Sequence, residues 1–504
     1  DILKGLGGLP IAGGIWWAGA AHSVLNTKER SEILEQLNIE PTITTGLPAI
    51  GGKPIRVGIV GFGIRGTHLC RALGFASKPT SENIETRKEL NVQLVAVCDA
   101  FDVRAENAKE WFSTDDIKVK RFKTHQEMIR SGDIDAIIIA TPDHWHAPIA
   151  IDALEHNIHT YVEKPMTHTV EETYRLREAA EKSKALLMVG HQHRQTLSFK
   201  SAQDVVNKGT LGHVSVIQTN TNRNSGNGAW QYNIHEKASE QTINWQQFLG
   251  TAPQIPFNKE HFFRWRKWWA YGSGLSGDLL SHDYDRLNCV LNMGIPDSIT
   301  ASGGIYTHND GRNVPDVLQV NMEFPEFSTG SSQEKGKEQG MTFIYSATLG
   351  NGFNRPTILM GHDATMELGN RLTVWPDRGS TKYSKLLKAK KMKPSVPIYQ
   401  FNPGANIPDA ITSATSQYFA DKGLMWTYIN GAKVDSTFLH LREWLSVIKN
   451  GGVLSCGIKE GFEEAITSHM TGLSYKLGRK IEWDKRDQKI IPIEGIDFDA
   501  VLLS

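Results

Sequence analysis

The sequence predicts an α/β protein: an N-terminal Rossmann domain with a mostly parallel sheet, then an α+β domain with an open, mainly antiparallel sheet. Three observations carry this. Buried-strand patterns alternate with helical stretches from Ile55 to Val189. A glycine-rich turn, Gly61-Phe62-Gly63-Ile64-Arg65-Gly66, follows the first of those strands directly and opens a helical stretch. Beyond Gly190 the strand-like runs lose their regular intervening helices. At 504 residues the chain is too long for one ordinary core. The expected division is 1–52 as a signal-like segment, arm and linker, 53–190 as the dinucleotide-binding domain, and 191–504 as the substrate and oligomerisation domain.

The elements follow in order. Gly5 to Ala21 carries no charge, follows Lys4 and contains Ala18-Gly19-Ala20, the shape of a signal peptide. Asp1-Ile2-Leu3-Lys4 is similar to the end of a twin-arginine motif, which points to a periplasmic or exported protein. The competing reading is an apolar arm on a cytoplasmic protein. Ser23 to Leu37 has helical spacing, and Pro41 to Lys53 is a Pro/Gly/Thr-rich linker. Ile55–Val60, Leu94–Cys98, Ile134–Ala140, Thr160–Val162 and Leu186–Val189 read as strands, with an insertion at Ser77–Glu89 in the first crossover. In the second half, Val214–Thr219, Ile299–Ile305, Val317–Phe324 and Thr342–Thr348 read as strands. Two insertions stand out: the polar Pro325–Gly340, and Asp377–Lys393 with seven Lys/Arg against one acid, for which a solvated loop and a grip on an anionic partner are both open.

Composition narrows the function classes. Lys+Arg and Asp+Glu are both 55, so the chain lacks the basic footprint that a phosphate backbone demands, and no nucleic-acid partner is expected. The four cysteines form no close CxxC pair and are expected to be free, buried thiols. His144/His146 and His191/His193 are HxH pairs, the basis of a competing metal-binding reading, but no third or fourth ligand has compelling spacing and no metal is assigned.

The chemistry begins at the glycine turn. Gly61 permits the tight turn, Gly63 lets a pyrophosphate approach the backbone, and Gly66 allows close helix–strand packing, with Ile64 and Arg65 at the helix N-terminus. Asp99, at the end of the second strand, is placed to hold the ribose hydroxyls of NAD and to repel the 2′-phosphate of NADP, so NAD is expected over NADP. The insertion at Ser77–Glu89 explains why its separation from the glycines exceeds the usual ~20 residues. Arg104 is open between stacking on the adenine and lying on a helix surface.

Two further motifs follow strands: Thr141-Pro142-Asp143-His144-Trp145-His146 and Glu163-Lys164-Pro165. With the glycine turn, Trp245-Gln246-Gln247-Phe248-Leu249-Gly250 and the Gly274–His282 segment, they resemble the glucose–fructose oxidoreductase/inositol dehydrogenase/rhizopine-catabolism family. The resemblance runs from Lys53 to near Lys480. It implies a nicotinamide-dependent enzyme that oxidises a secondary hydroxyl of a sugar, polyol or glycoside. In it Lys164 stabilises the developing alkoxide, His282 accepts the proton, and Asp278 orients His282 or holds a substrate hydroxyl. Asp278, His282 and Asp285 are spaced i, i+4, i+7, on one face of a helix if one starts there, which makes Asp285 a further expected contact to the sugar. Thr141, Pro142, His146, Glu163 and Lys164 itself are implied on the cofactor side. Trp268 and Tyr271, within a run that also holds Arg264, Trp265 and Trp269, are candidates for a sugar-stacking platform, with interior packing equally open. The resemblance also implies a homo-oligomer, dimer or tetramer, associating through the open sheet. The alternative within the same fold is a redox-neutral glycosidase or sugar-to-sugar oxidoreductase with tightly held NAD, although one group of such glycosidases lacks the lysine.

Overall fold

A computed structural model describes residues 48–114, 117–226, 228–329, 339–369, 371–401, 426–429 and 432–504. The signal-like segment, the Ser23–Leu37 helical pattern and the middle of the Pro325–Gly340 insertion lie outside the described residues.

Six parallel strands form the first sheet: β1 (Ile55–Val60), β2 (Val92–Cys98), β3 (Lys120–Phe122), β4 (Ala136–Ile139), β5 (His159–Val162) and β6 (Leu187–Val189). Their order is β3-β2-β1-β4-β5-β6, the doubly wound order, in which the strands are added outward in opposite senses from the parallel pair β1 and β4. β4 is buried along its whole length, as a central strand covered on both faces must be, which is why Ile137-Ile138-Ile139 reads as an unbroken apolar run. The insertion after the first helix (Ile64–Ala72) forms a second helix, Ser81–Leu90, started by a Thr80/Asn83 capping box. β3 is short and mostly polar, and its pattern is not visible in the sequence.

The second sheet has ten strands. In chain order they are β7 (Val214–Asn222), β8 (Ser298–Gly304), β9 (Val317–Phe324), β10 (Met341–Thr348), β11 (Thr357–Gly361), β12 (Ala364–Leu368), β13 (Leu372–Pro376), β14 (Tyr399–Phe401), β17 (Ile481–Asp484) and β18 (Lys489–Ile490); β15 (Trp426–Ile429) and β16 (Ala432–Asp435) pair as a separate hairpin. Only β7 and β10 pair in parallel; the other neighbours are antiparallel. β9 buries Leu318, Val320, Met322 and Phe324 and turns Gln319 and Glu323 outward, the alternation of a sheet covered on one face. The long Ile458–Leu477 helix packs against β8 on that covered face.

The core does not respect the expected boundary at residue 190. The Ser436–Asn450 helix returns to the nucleotide-binding domain, where Leu441, Trp444 and Leu445 join Val57, Ile59, Leu69 and Val97 in one apolar cluster. Tyr161 on β5 meets His440 of this helix at 3.1 Å. Trp444 is completely buried, so Trp444→Ala is expected to cost about 3–5 kcal/mol. Urea unfolding checks this, and the nucleotide-binding domain should lose stability even though the residue lies near the other end of the chain.

The Asp377–Lys393 insertion is anchored rather than loose. Tyr383 is buried with its hydroxyl donating to the Thr210 carbonyl (2.7 Å), and Lys382 Nζ donates to the Gly209 carbonyl (2.8 Å). All four cysteines are free; Cys70, Cys98 and Cys456 are buried and Cys289 is half-buried.

Candidate active site

A cleft of about 1210 Å³ opens where the glycine turn faces residues of the second domain, larger than the ~300–1,000 Å³ of a typical small-molecule pocket. One half is built by the nucleotide fold. Gly61 adopts φ +88°, and a Cβ there would stand 2.6 Å from the Ala140 carbonyl oxygen; at Gly66 it would stand 2.1 Å from the Gly61 oxygen. A Cβ on Gly63 would meet only Arg104, at 3.8 Å, so the space beside it is open to a ligand. Gly63 is also the N-cap of the Ile64–Ala72 helix and offers no capping side chain, which leaves the helix start for an anion.

Asp99 lines the cleft and holds the turn, accepting the Phe62 N–H at 2.6 Å and the Phe101 N–H at 2.8 Å. Each carboxylate oxygen keeps lone pairs for a hydroxyl. Arg104 also lines the cleft, with its guanidinium 5.2 Å from the Phe263 ring centre. Thr141 and Pro142 line the cleft beside the glycine turn, and among the described residues the buried Thr141 hydroxyl has no hydrogen-bond partner. These features fit a dinucleotide: an open glycine, an uncapped helix start and a hydroxyl awaiting a partner.

Two residues expected on the cofactor serve the scaffold as well. His146 bridges the Thr141 carbonyl (2.9 Å) and the Pro165 carbonyl (2.7 Å), tying two loops together. Arg65 donates to Glu163 (2.7 Å) and to the Gln192 side-chain oxygen (3.1 Å), linking the glycine-turn helix to the Glu163-Lys164-Pro165 loop. Ile64, by contrast, is 73% exposed at the cleft edge.

The other half of the cleft holds the charged centre. The Lys164–Pro165 peptide is cis. Lys164 Nζ donates to the Asp278 carbonyl (2.6 Å) and the Gly277 carbonyl (3.3 Å), and lies 3.8 Å from the Asp278 carboxylate. Burial pulls the Lys164 ammonium below its usual range, with Asp278 working against that pull. Asp278 in turn accepts from Arg266 Nε (3.0 Å), Trp230 Nε1 (3.1 Å) and Arg223 (3.3 Å). Burial would raise its carboxyl, but Arg266, Lys164 and Arg223 outweigh it and hold the group well below the usual carboxylate range. His282, beside His193 with ring centres 4.8 Å apart, is held well below its ordinary value by burial first, then by Lys164 and the neighbouring imidazoles. It is therefore neutral, the form that accepts a proton.

Three expected substrate contacts are corrected. Ser276–Leu280 is a π-helical turn running into the Ser281–Leu291 α-helix, so the i, i+4, i+7 spacing does not follow one straight face. Asp278 and His282 still line the cleft, but Asp285 does not; it is buried against Arg194 (2.8 Å), which needs a counter-charge there, and 3.6 Å from His191. Trp268 stacks on His261 with ring centres 3.8 Å apart, and Tyr271 is buried against Phe248 and His144. Both sit behind the cleft wall. The aromatic residues that line it include Trp265, from the same run, Trp230 and Tyr232, from a polar loop where isolated aromatics were the available signal, and Trp145, Phe248, Phe262 and Phe263. Asp143, Arg223 and Arg266 were also missed. The HxH histidines are taken up by other contacts: His144 bonds the Phe248 carbonyl, His146 the Thr141 and Pro165 carbonyls, and His191 faces Asp285 and Glu464. Among the described residues no group of three or more His, Cys, Asp or Glu is arranged to hold a metal ion.

Residues 55–191 match the oxidoreductase family described as having an NAD-binding Rossmann fold. This nucleotide-binding domain belongs to the glucose–fructose oxidoreductase/inositol dehydrogenase/rhizopine-catabolism family. An α-N-acetylgalactosaminidase of Shewanella oneidensis is 30% identical over 186 residues, 34% of this chain and 37% of that protein. An inositol 2-dehydrogenase of Salmonella typhimurium is 28% identical over 165 residues, 32% of this chain and 44% of that protein. The chain thus spans less than half the length of these curated relatives. The WlbA dehydrogenase from Bordetella pertussis, solved with NADH and UDP-GlcNAcA, shares the fold at TM-score 0.58 and 16% identity, over 86% of this chain and 99% of that one. A levoglucosan dehydrogenase, solved with NADH and L-sorbose, does so at TM-score 0.56 and 16% identity, over 86% and 99%. For a domain of this family, Gly66→Ala is expected to weaken dinucleotide binding at least ~10-fold, because the new methyl displaces the Gly61 carbonyl that shapes the turn. Cofactor titration by fluorescence quenching checks it.

Proposed function

We propose that the protein oxidises a secondary hydroxyl of a sugar, polyol or glycoside, using NAD. The observation that supports this most is the meeting of Lys164, Asp278 and His282 in the cleft that the glycine turn and Asp99 also line. NAD, when bound along Gly61, Gly63, Asp99 and Thr141, supplies the acceptor for the carbinol hydrogen. Lys164, steadied by two carbonyl oxygens, donates to the substrate oxygen and stabilises the charge that grows there. Neutral His282 takes the hydroxyl proton. Asp278 acts as a positioning residue that keeps the ammonium in place between Arg266 and Arg223.

Asp99 is the basis for NAD over NADP. Asp99→Ser is expected to narrow the NAD-to-NADP affinity ratio by about tenfold or more, read by parallel titrations with the two cofactors. The likeness to the α-N-acetylgalactosaminidase favours one second reading, a redox-neutral glycosidase or sugar-to-sugar oxidoreductase that keeps its cofactor. Heat denaturation separates them: stoichiometric release of NAD(H) from the purified protein supports the closed cycle, whereas an empty protein that reduces added NAD with sugars supports net oxidation. Export through the Gly5–Ala21 segment and a homodimer or homotetramer built on the ten-stranded sheet belong to the same reading. Cell fractionation and light scattering test these two points.

A further inference from the structure

At the charged centre one carboxylate serves three cations. Asp278 is bonded to Arg266 and Arg223 and lies 3.8 Å from Lys164. Of the other carboxylates of the cleft, Glu163 is paired with Arg65, Asp99 is held by the N–H groups of Phe62 and Phe101, and Asp143, held by the Ser273 N–H and hydroxyl, acts on Arg266 and Lys164 without bonding to either, so three cations face two carboxylates.

Arg266 is unlike the other cations of its own turn. Arg264 donates to both oxygens of Glu260 at 2.8 Å, and Lys267 is bridged between Glu260 (2.9 Å) and Asp310 (3.3 Å). These bonds pin the chain on either side of Arg266, which alone of the three lines the cleft. Its guanidinium rests 4.1 Å from the centre of the Trp265 ring, and that ring sits where a Cβ on Gly272 would approach it to 3.1 Å. Among the described residues only Nε of Arg266 has a hydrogen-bond partner, and the side chain is 29% exposed. Its two terminal nitrogens therefore form a planar fork on a fixed aromatic support, the geometry that takes a carboxylate through two parallel bonds. A neutral sugar would close the cleft over surplus positive charge, whereas an anionic one would neutralise it.

We propose that the substrate is an acidic sugar, a uronate or a sugar with an equivalent carboxylate, held by the Arg266 fork beside Lys164 and His282. This rests on the sugar-oxidoreductase reading, and it concerns binding: the carboxylate is not altered in the oxidation of the neighbouring hydroxyl.

The test is calorimetric binding of D-glucuronate and D-galacturonate, their methyl esters, and glucose and galactose to the NAD-loaded protein, with NAD affinity measured separately. The uronates are expected to bind about 10- to 100-fold more tightly than their esters, the effect of one charge-assisted paired contact. Arg266→Gln should erase that difference with NAD affinity unchanged, and Arg266→Lys, which keeps the charge and loses the fork, should retain part of it. Equal or tighter binding of esters and neutral sugars, or a preference that survives Arg266→Gln, overturns the inference and leaves the oxidoreductase reading standing. Binding of sulfated or phosphorylated sugars without uronates overturns the assignment to a carboxylate. Failure to bind NAD at all overturns both.

Discussion

Lys164→Met is expected to reduce sugar oxidation by about 10³-fold or more while leaving dinucleotide affinity within a few-fold of the parent. The substitution removes a charge but preserves the length of the side chain. Lys164 Nζ is bonded to the carbonyls of Gly277 and Asp278, on the substrate side of the cleft, and to nothing in the glycine turn. The groups that fit the dinucleotide, Gly63, Asp99 and Thr141, therefore keep their surroundings. Asp278 also keeps two guanidinium partners, so its carboxylate remains neutralised. Steady-state kinetics with a cofactor titration on the same preparation reads both halves of the expectation. Undiminished turnover in the variant would remove Lys164 from the chemistry.

The second large effect is at Asp278. Asp278→Asn leaves Lys164, Arg223 and Arg266 together in a largely buried site without their shared counter-charge, a change expected to cost about 3–5 kcal/mol of stability at neutral pH. The pH dependence has a definite sign. The Asp278 carboxyl is depressed in the folded protein from its ordinary value of 3.8, so its contribution is complete above that value and is lost as pH falls through the depressed one. The gap in unfolding free energy between parent and variant should therefore hold from neutral pH down to about pH 4 and close only below it. The same substitution removes the group that opposes the burial-driven fall of the Lys164 pKa, so Lys164 should lose its proton at lower pH in the variant. Denaturant unfolding across pH reads the first effect, and the alkaline limb of the activity profile reads the second. A gap that is widest in acid would contradict the arrangement.

What was legible in the sequence divides along a physical line. Local signals were read correctly: the apolar runs of the central strands, the strand–glycine–helix turn, and the alternation along β9 each depend on a few adjacent residues. The Lys164, Asp278 and His282 cluster was reached through motif order, and the cleft does bring the three together. The failures depend on distance or on small changes in pitch. Nothing near Trp444 shows that its helix completes a core whose strands begin hundreds of residues earlier. The π-helical turn at Ser276–Leu280 spoiled a seven-residue extrapolation, so Asp285 was assigned to the sugar when it neutralises Arg194. The aromatic run supplied the right segment and the wrong members: Trp265 lines the cleft, while Trp268 and Tyr271 pack behind it. Arg266 carries no motif at all; its role follows from which of its neighbours already have carboxylate partners.

The most direct measurement of the central claim is a single-turnover experiment in which NAD-loaded protein is mixed with a panel of uronates and neutral sugars while the near-ultraviolet absorbance of reduced nicotinamide is followed. The account predicts a rise with at least one sugar, stoichiometric with protein, accompanied by the matching keto sugar in the quenched mixture and absent in Lys164→Met. Bound NAD that stays oxidised with every sugar, or reduction that proceeds equally in Lys164→Met, would contradict it.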